Sequence, residues 1–326
     1  MDLSRYKDVV TSSGQTYHYY HCAPASSKPT LLFVHGFPST SDTWRHQVAH
    51  FEALGYGVIV PDQLGYGGSS KPAEMQPYLG REMAANHVDI LNAEGIDKAV
   101  AIGHDWGALV VSRLANYFPE RFHAFAFVAA SYMAPEPMDL DGLLAQTRQL
   151  LGYELLGYWK FFAEDGADKI IEQHIDSFLS FLYTNDPMLW TTDFAPVGAL
   201  KANLLADKQV PFASYISDDD RVEMRASLLR GGLRGPLNWY KTHVDGLANE
   251  ENKNIPTDAY TIDKPVFFAA ALKDYVCLPD FQKPSLLKWC TKATIKDYDS
   301  DHWLLLSSHK ALNADLEEWL TKTVLA

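Results

Sequence analysis

Gly103-His104-Asp105-Trp106-Gly107 sets an aspartate in the middle of a glycine-flanked turn. The apolar run Ala99 to Ile102 precedes it, and a helical stretch from Ala108 follows. Strand, sharp turn and helix in that order form an elbow that raises its central side chain above a sheet, and the glycines let strand and helix pass without colliding. A turn residue capping the next helix is the simpler role for an aspartate, and the strand-turn-helix setting outweighs it. The residue type then narrows the chemistry. A carboxyl with a reference pKa of about 3.9 is already a nucleophile at neutral pH. Its attack on a saturated carbon gives an alkyl ester that water can later hydrolyse, whereas a serine would leave an ether. Asp105 therefore points to a saturated electrophilic carbon, as in an epoxide or a carbon–halogen bond.

Hydrolysis of that ester needs an activated water. In folds built around such an elbow, the nucleophile is followed along the chain by an acid and then a histidine. Asp274, in Leu272-Lys273-Asp274-Tyr275, lies just past a buried strand, and His302, in Asp299-Ser300-Asp301-His302-Trp303, lies in the loop after the last one. His302 is the expected general base, and Asp274 the group that fixes its tautomer and stabilises the imidazolium. Either residue alone would read as a turn or surface group; their order after strand ends gives them weight. His35-Gly36-Phe37-Pro38 follows an earlier strand. Its Phe37 N–H, with the N–H of Trp106, is expected to form an oxyanion hole for the tetrahedral intermediate on Asp105. The scheme requires neither cofactor nor metal.

These groups need a scaffold, and the chain has the texture of one. Lys7 to Thr11 and Tyr17 to Cys22 flank Ser12-Ser13-Gly14-Gln15 as a hairpin. Leu31 to Val34, Gly57 to Val60, Ala99 to Ile102 and Ala124 to Ala129 read as buried strands. Helices over Trp44 to Leu54, Glu82 to Ala93 and Ala108 to Tyr117 alternate with them, as in an α/β fold with a mostly parallel sheet covered on both faces. From about Ala134 to Thr257 the sequence is helical and rich in aromatics. Ile171, Ile175, Phe178, Leu179 and Leu182 there share one apolar helical face. Strand texture returns at Pro265 to Leu272 and Ala293 to Tyr298, and a helix over Leu312 to Leu320 closes the chain. The expected organisation is a discontinuous core, residues 1–133 and 258–326, with a helical cap at 134–257.

Composition excludes other classes. The 326 residues are 47% hydrophobic and 21% charged, which excludes disordered, collagenous and coiled-coil chains. A net charge of -13 repels phosphate backbones and anionic lipid, so nucleic acid is not an expected partner. Apolar runs such as Ala124 to Ala130 fall far short of the ~18 residues of a membrane span. The N-terminus lacks an export signal, and Cys22, Cys277 and Cys290 suit reduced thiols, so a cytoplasmic location is expected. Gly65-Tyr66-Gly67-Gly68-Ser69 lacks the lysine of a phosphate-binding loop, His46 and His50 read as a solvated helix face, and Asp218-Asp219-Asp220 as a loop.

Taken together, the His35 to Pro38, Gly103 to Gly107, Lys273-Asp274 and Asp301-His302-Trp303 segments resemble those of epoxide hydrolases of the α/β-hydrolase fold, and the resemblance spans nearly the whole chain. Arg234-Gly235-Pro236-Leu237-Asn238-Trp239-Tyr240 resembles the cap segment carrying one of that family's two ring-opening tyrosines, which would be Tyr240. Gly157-Tyr158-Trp159-Lys160-Phe161-Phe162 resembles the segment of the other, which would be Tyr158, with Tyr153 and Tyr183 as competitors. The resemblance implies a small apolar epoxide held by Phe37, Trp106, Tyr158 and Tyr240. Neutral phenols suit the task, because an alkoxide leaves poorly unless it is protonated or hydrogen-bonded. A hydrolytic haloalkane or haloacid dehalogenase is the alternative enzyme, but the Asn or Arg usual in those relatives at the Phe37 and Trp106 positions is missing. A ligand-binding receptor or pseudoenzyme on the same fold would lack a triad member, and none is lacking. A homodimer is left open.

Overall fold

The computed structural model describes residues 1–25 and 27–325. Strands run β1 (Tyr6–Val10), β2 (Thr16–Cys22), β3 (Thr30–Val34), β4 (Gly57–Pro61), β5 (Ala99–His104), β6 (Phe122–Val128), β7 (Ile262–Ala271) and β8 (Cys290–Tyr298). Among the described residues they form one sheet in the order β1-β2-β4-β3-β5-β6-β7-β8. β1 pairs antiparallel with β2, and β2 with β4; every later pair is parallel. β3, β4 and β5 are buried at every position, as runs without alternation must be when helices cover both faces. Strand order reverses around β3, which opens a crevice at the carboxyl ends of β3 and β5, the usual ligand position in such sheets.

The helices are α1 (Arg45–Ala53), α2 (Gly80–Ala93) and α3 (Trp106–Tyr117), which follow β3, β4 and β5 in turn. Between β6 and β7 come α4 (Leu140–Leu151), α5 (Tyr158–Ala163), α6 (Ala167–Gln173), α7 (Ile175–Leu182), α8 (Ala199–Leu205), α9 (Asp218–Gly231), α10 (Arg234–Val244) and α11 (Leu247–Asn252). The chain ends with α12 (Pro279–Trp289), α13 (Leu304–Ser307) and α14 (His309–Trp319). The inserted helices are tied over loops that leave the sheet. Trp239 Nε1 donates to the Leu64 carbonyl after β4 (3.1 Å), and Tyr153 Oη to the Tyr275 carbonyl after β7 (2.9 Å). Trp303 Nε1, after β8, donates to the carbonyl of Leu182 on α7 (2.8 Å). No helix among the described residues is long and apolar enough to cross a membrane.

Three expectations need correction. Asp218, Asp219 and Asp220 form the first turn of α9 rather than a loop. The Ser217 hydroxyl accepts the Asp220 N–H, and the Asp220 carboxylate accepts the Ser217 N–H, a reciprocal cap placing three negative charges at the positive end of the helix. His46 and His50 are half-buried against α14 rather than simply solvated: His46 stacks on His309 with ring centroids 4.0 Å apart, and His50 Nε2 lies 2.9 Å from a Glu317 carboxylate oxygen. The apolar face from Ile171 to Leu182 is buried as expected, but the backbone breaks at His174 into α6 and α7.

Candidate active site

The elbow closes as the glycines dictate. Asp105 sits at φ 52°, ψ −125°, a left-handed conformation that a non-glycine residue adopts only under strain. A methyl group on Gly107 would collide with the Val34 carbonyl, and one on Gly103 with the carbonyl of Gly107, so strand, turn and helix approach only with both side chains absent. α3 begins at Trp106, two residues earlier than its apolar pattern suggests, so the Trp106 N–H is one of the donors at its start.

That strain aims the Asp105 carboxyl at two backbone donors. Phe37 N–H donates to Oδ1 at 2.7 Å, and the N–H of Trp106 is close enough to the carboxylate to favour its charge. Oδ2 is left facing His302, whose Nε2 lies 3.6 Å away. On its other side His302 donates from Nδ1 to Asp274 Oδ2 at 2.6 Å. Asp274 is fully buried and accepts from the N–H groups of Val276 (3.0 Å) and Cys277 (2.8 Å) through Oδ1. The three groups expected to form a triad thus lie in one line. Burial raises the Asp105 pKa against the pull of His302 and the two N–H donors. Burial works to lower that of His302, but the Asp274 carboxylate, then Asp105, overcome it and lift it to about 9.

Tyr158, at the start of α5, and Tyr240, in α10, meet above the elbow with ring centroids 5.9 Å apart. Tyr240 packs edge-on against Phe37 and Trp106, at 5.0 Å from each, and against Phe162 at 4.8 Å. Burial holds both hydroxyls well above the ordinary phenol pKa, and the Asp105 charge adds to it, so both are neutral donors. The competing tyrosines are engaged elsewhere. Tyr153 is hydrogen-bonded to the Tyr275 carbonyl, and Tyr183 stacks on Trp303 at 4.3 Å.

The sequence left one contributor without a role. His104, next to Asp105 in the elbow, is wholly buried and donates from Nε2 to the His302 carbonyl at 2.9 Å. Burial and the neighbouring His302 keep it neutral by holding its pKa well below the ordinary value. Its ring lies 4.7 Å from that of His302, which it supports from below. His104 is the last residue of β5, immediately before the nucleophile, so its place in the motif was the available signal.

The fold and this arrangement define a class. Residues 29–308 match the alpha/beta hydrolase fold family, and the chain belongs to it. Among curated relatives, the bifunctional epoxide hydrolase 2 of Sus scrofa is 28% identical over 305 residues, covering 92% of this chain and 53% of its own length. The chain therefore spans about half the length of that relative. The epoxide hydrolase srdG of Neurospora crassa is 27% identical over 329 residues, covering 96% of this chain and 94% of its own. The crystal structure of epoxide hydrolase A from Mycobacterium thermoresistibile superposes with a TM-score of 0.81 at 27% identity, covering 98% of each chain.

Proposed function

We propose that the chain is an epoxide hydrolase that converts a small apolar epoxide and water into a vicinal diol. The observation that carries the reading is the edge-to-face meeting of two buried, neutral tyrosines at the elbow of an aspartate whose Oδ2 faces a histidine. Asp105 Oδ2 attacks a ring carbon, forming one carbon–oxygen bond as the ring carbon–oxygen bond breaks. The departing oxygen takes its proton from Tyr158 or Tyr240. Oδ1 stays on the Phe37 N–H, with the Trp106 N–H beside the carboxyl, where negative charge develops when water adds to the ester.

His302 changes character between the two steps. At rest, Asp274 and Asp105 hold it cationic. Alkylation turns Asp105 into a neutral ester, which withdraws one supporting charge, so burial moves the pKa back down; the imidazolium passes its proton to the tyrosinate, and the neutral imidazole then takes a proton from water. Hydroxide then adds to the Asp105 carbonyl, and the acyl–oxygen bond breaks. The leaving diol oxygen takes the proton held by His302, and the proton left on the Asp105 carboxyl returns to His302, which restores the resting imidazolium. The inserted helices (residues 134–257) act as a cap over the core (residues 1–133 and 258–326). They bring both phenols to the elbow and keep water from the first step.

A halide leaves without a proton, so a dehalogenase has no use for the phenol pair. Incubating the chain with an aryl epoxide and, separately, with a 1-haloalkane separates the two activities. Diol formation without halide release is the expected result; halide release without diol formation would overturn the reading.

A further inference from the structure

The chain leaves the core after β6 through residues 131–135 and returns before β7 through 257–260. Both crossings are bonded to one helix, α3. On the outgoing side, Met133 N–H donates to Ser112 Oγ (2.9 Å), and Arg113 Nη1 donates to the Met133 carbonyl (2.8 Å). On the returning side, Asn116 Nδ2 donates to the Ala259 carbonyl (2.8 Å). The same amide also donates to Tyr132 Oη (2.8 Å), whose own proton goes to the Tyr260 carbonyl (2.8 Å). Tyr260 Oη completes the loop on the Pro135 carbonyl (3.1 Å), and Arg113 Nη1 braces Asn116 Oδ1 (3.1 Å). Arg113, Asn116, Ser112 and Tyr132 are buried.

This helix also starts at Trp106, directly after Asp105, with its first N–H beside the Asp105 carboxylate. We infer that Asn116, braced by Arg113, is a positioning residue: it clamps the two hinge strands of the inserted helices to α3 and so fixes the height of Tyr158 and Tyr240 above Asp105. Hinges are a few element-terminal residues that absorb the motion of a domain. Here one side-chain amide reaches both of them, directly on the returning strand and through Tyr132 on the outgoing one. A fixed geometry at the reacting atoms depends on such supporting contacts. The inference rests on the reading of the tyrosines as ring-opening acids, whereas the clamp itself does not.

Asn116→Asp in the full chain tests it. The change keeps the size and the contact with Arg113 but removes the NH₂ that both strands share. Hydrogen exchange, followed by mass spectrometry, should quicken about tenfold or more in peptides covering 131–135 and 257–260, with the β5 peptide unchanged. Single-turnover mixing with an epoxide should show ester formation slowed about tenfold or more, with hydrolysis of the ester at its wild-type rate. Faster exchange in one segment alone, or in neither, would overturn the clamp. Faster exchange in both with normal ester formation would overturn the positioning role. Tyr132→Phe removes only the bridging hydroxyl and guards against a misfolded first variant; both effects should then be smaller and in the same direction. If the wild-type chain forms no ester with any epoxide, the proposed function fails, while the exchange arm still decides the clamp.

Discussion

Backbone N–H groups hold Asp105 and Asp274, while aromatic rings hold Tyr158 and Tyr240. The lower half of the site accepts hydrogen bonds from Phe37, Val276 and Cys277, all on loops leaving the sheet, with the first N–H of α3 beside Asp105. The upper half is positioned by ring contacts to Phe37, Trp106, Phe162 and Phe194. Hydrogen bonds fix a carboxylate's direction to a few tenths of an ångström, but packed rings fix position mainly through volume and through whatever holds their helices in place. The two steps of the proposed reaction divide along the same line: ester hydrolysis relies on the sheet, and ring opening also needs the inserted helices. Substitutions below should therefore change what is formed, and those above only how fast the ring opens.

The largest effect belongs to Asp105→Asn, which removes the nucleophile. Turnover should fall by about 10⁴-fold or more, with no adduct in the mass spectrum of the variant. The same variant sharpens the account of His302. It mimics the neutral ester, so the imidazole midpoint, followed by NMR, should fall from about 9 in the wild type. The sign carries a consequence for stability. A histidine raised in the folded state stabilises it below the unfolded value of about 6.5, and that contribution disappears as pH rises through the folded value. The wild type should accordingly lose thermal stability between about pH 6.5 and 9 more steeply than Asp105→Asn does. An unmoved midpoint would break the link between alkylation and water activation.

Next in size is His302→Gln, expected to lower turnover by about 10³-fold while the Asp105 peptide gains the mass of one substrate. Turnover with an unmodified peptide would remove His302 from the hydrolytic step. Tyr240→Phe and Tyr158→Phe should each slow ester formation by about 10- to 100-fold and leave ester hydrolysis untouched. If either slowed hydrolysis instead, the division between the two halves would collapse. Far from both, Ser217→Ala should cost about 1 kcal/mol of stability by removing the α9 cap, with no kinetic effect.

The same contrast governs how far the sequence could be read. Asp105, His302 and Asp274 were legible because each stands beside a strand end with its own local signature, and local signals survive in a linear text. Tyr240 and Tyr158 were not separable from the other tyrosines by any local pattern among the 17 in the chain; only a resemblance picked them out. Their selection depends on which rings meet in space. The contacts from Asn116 to Tyr132 and Ala259 are invisible for the same reason, since they join residues up to 143 positions apart. The α9 start was legible and misread: Ser217, three residues before Asp220, carries the capping pattern, and a run of acids there charges a helix end rather than marking a loop. His46 and His50 show the converse, a polar pair whose partial burial depends on a partner helix more than 250 residues downstream.

The covalent route through Asp105 is the centre of the account, and one isotope measurement tests it most directly. Excess protein is allowed a single turnover of an epoxide in ¹⁸O-water. Water that attacks the ester carbonyl leaves its oxygen on the protein, so the first diol should be unlabelled and the Asp105 peptide should carry one ¹⁸O in place of ¹⁶O. A labelled diol with an unlabelled Asp105 peptide would mean that water opens the ring directly, and the proposed mechanism would be wrong.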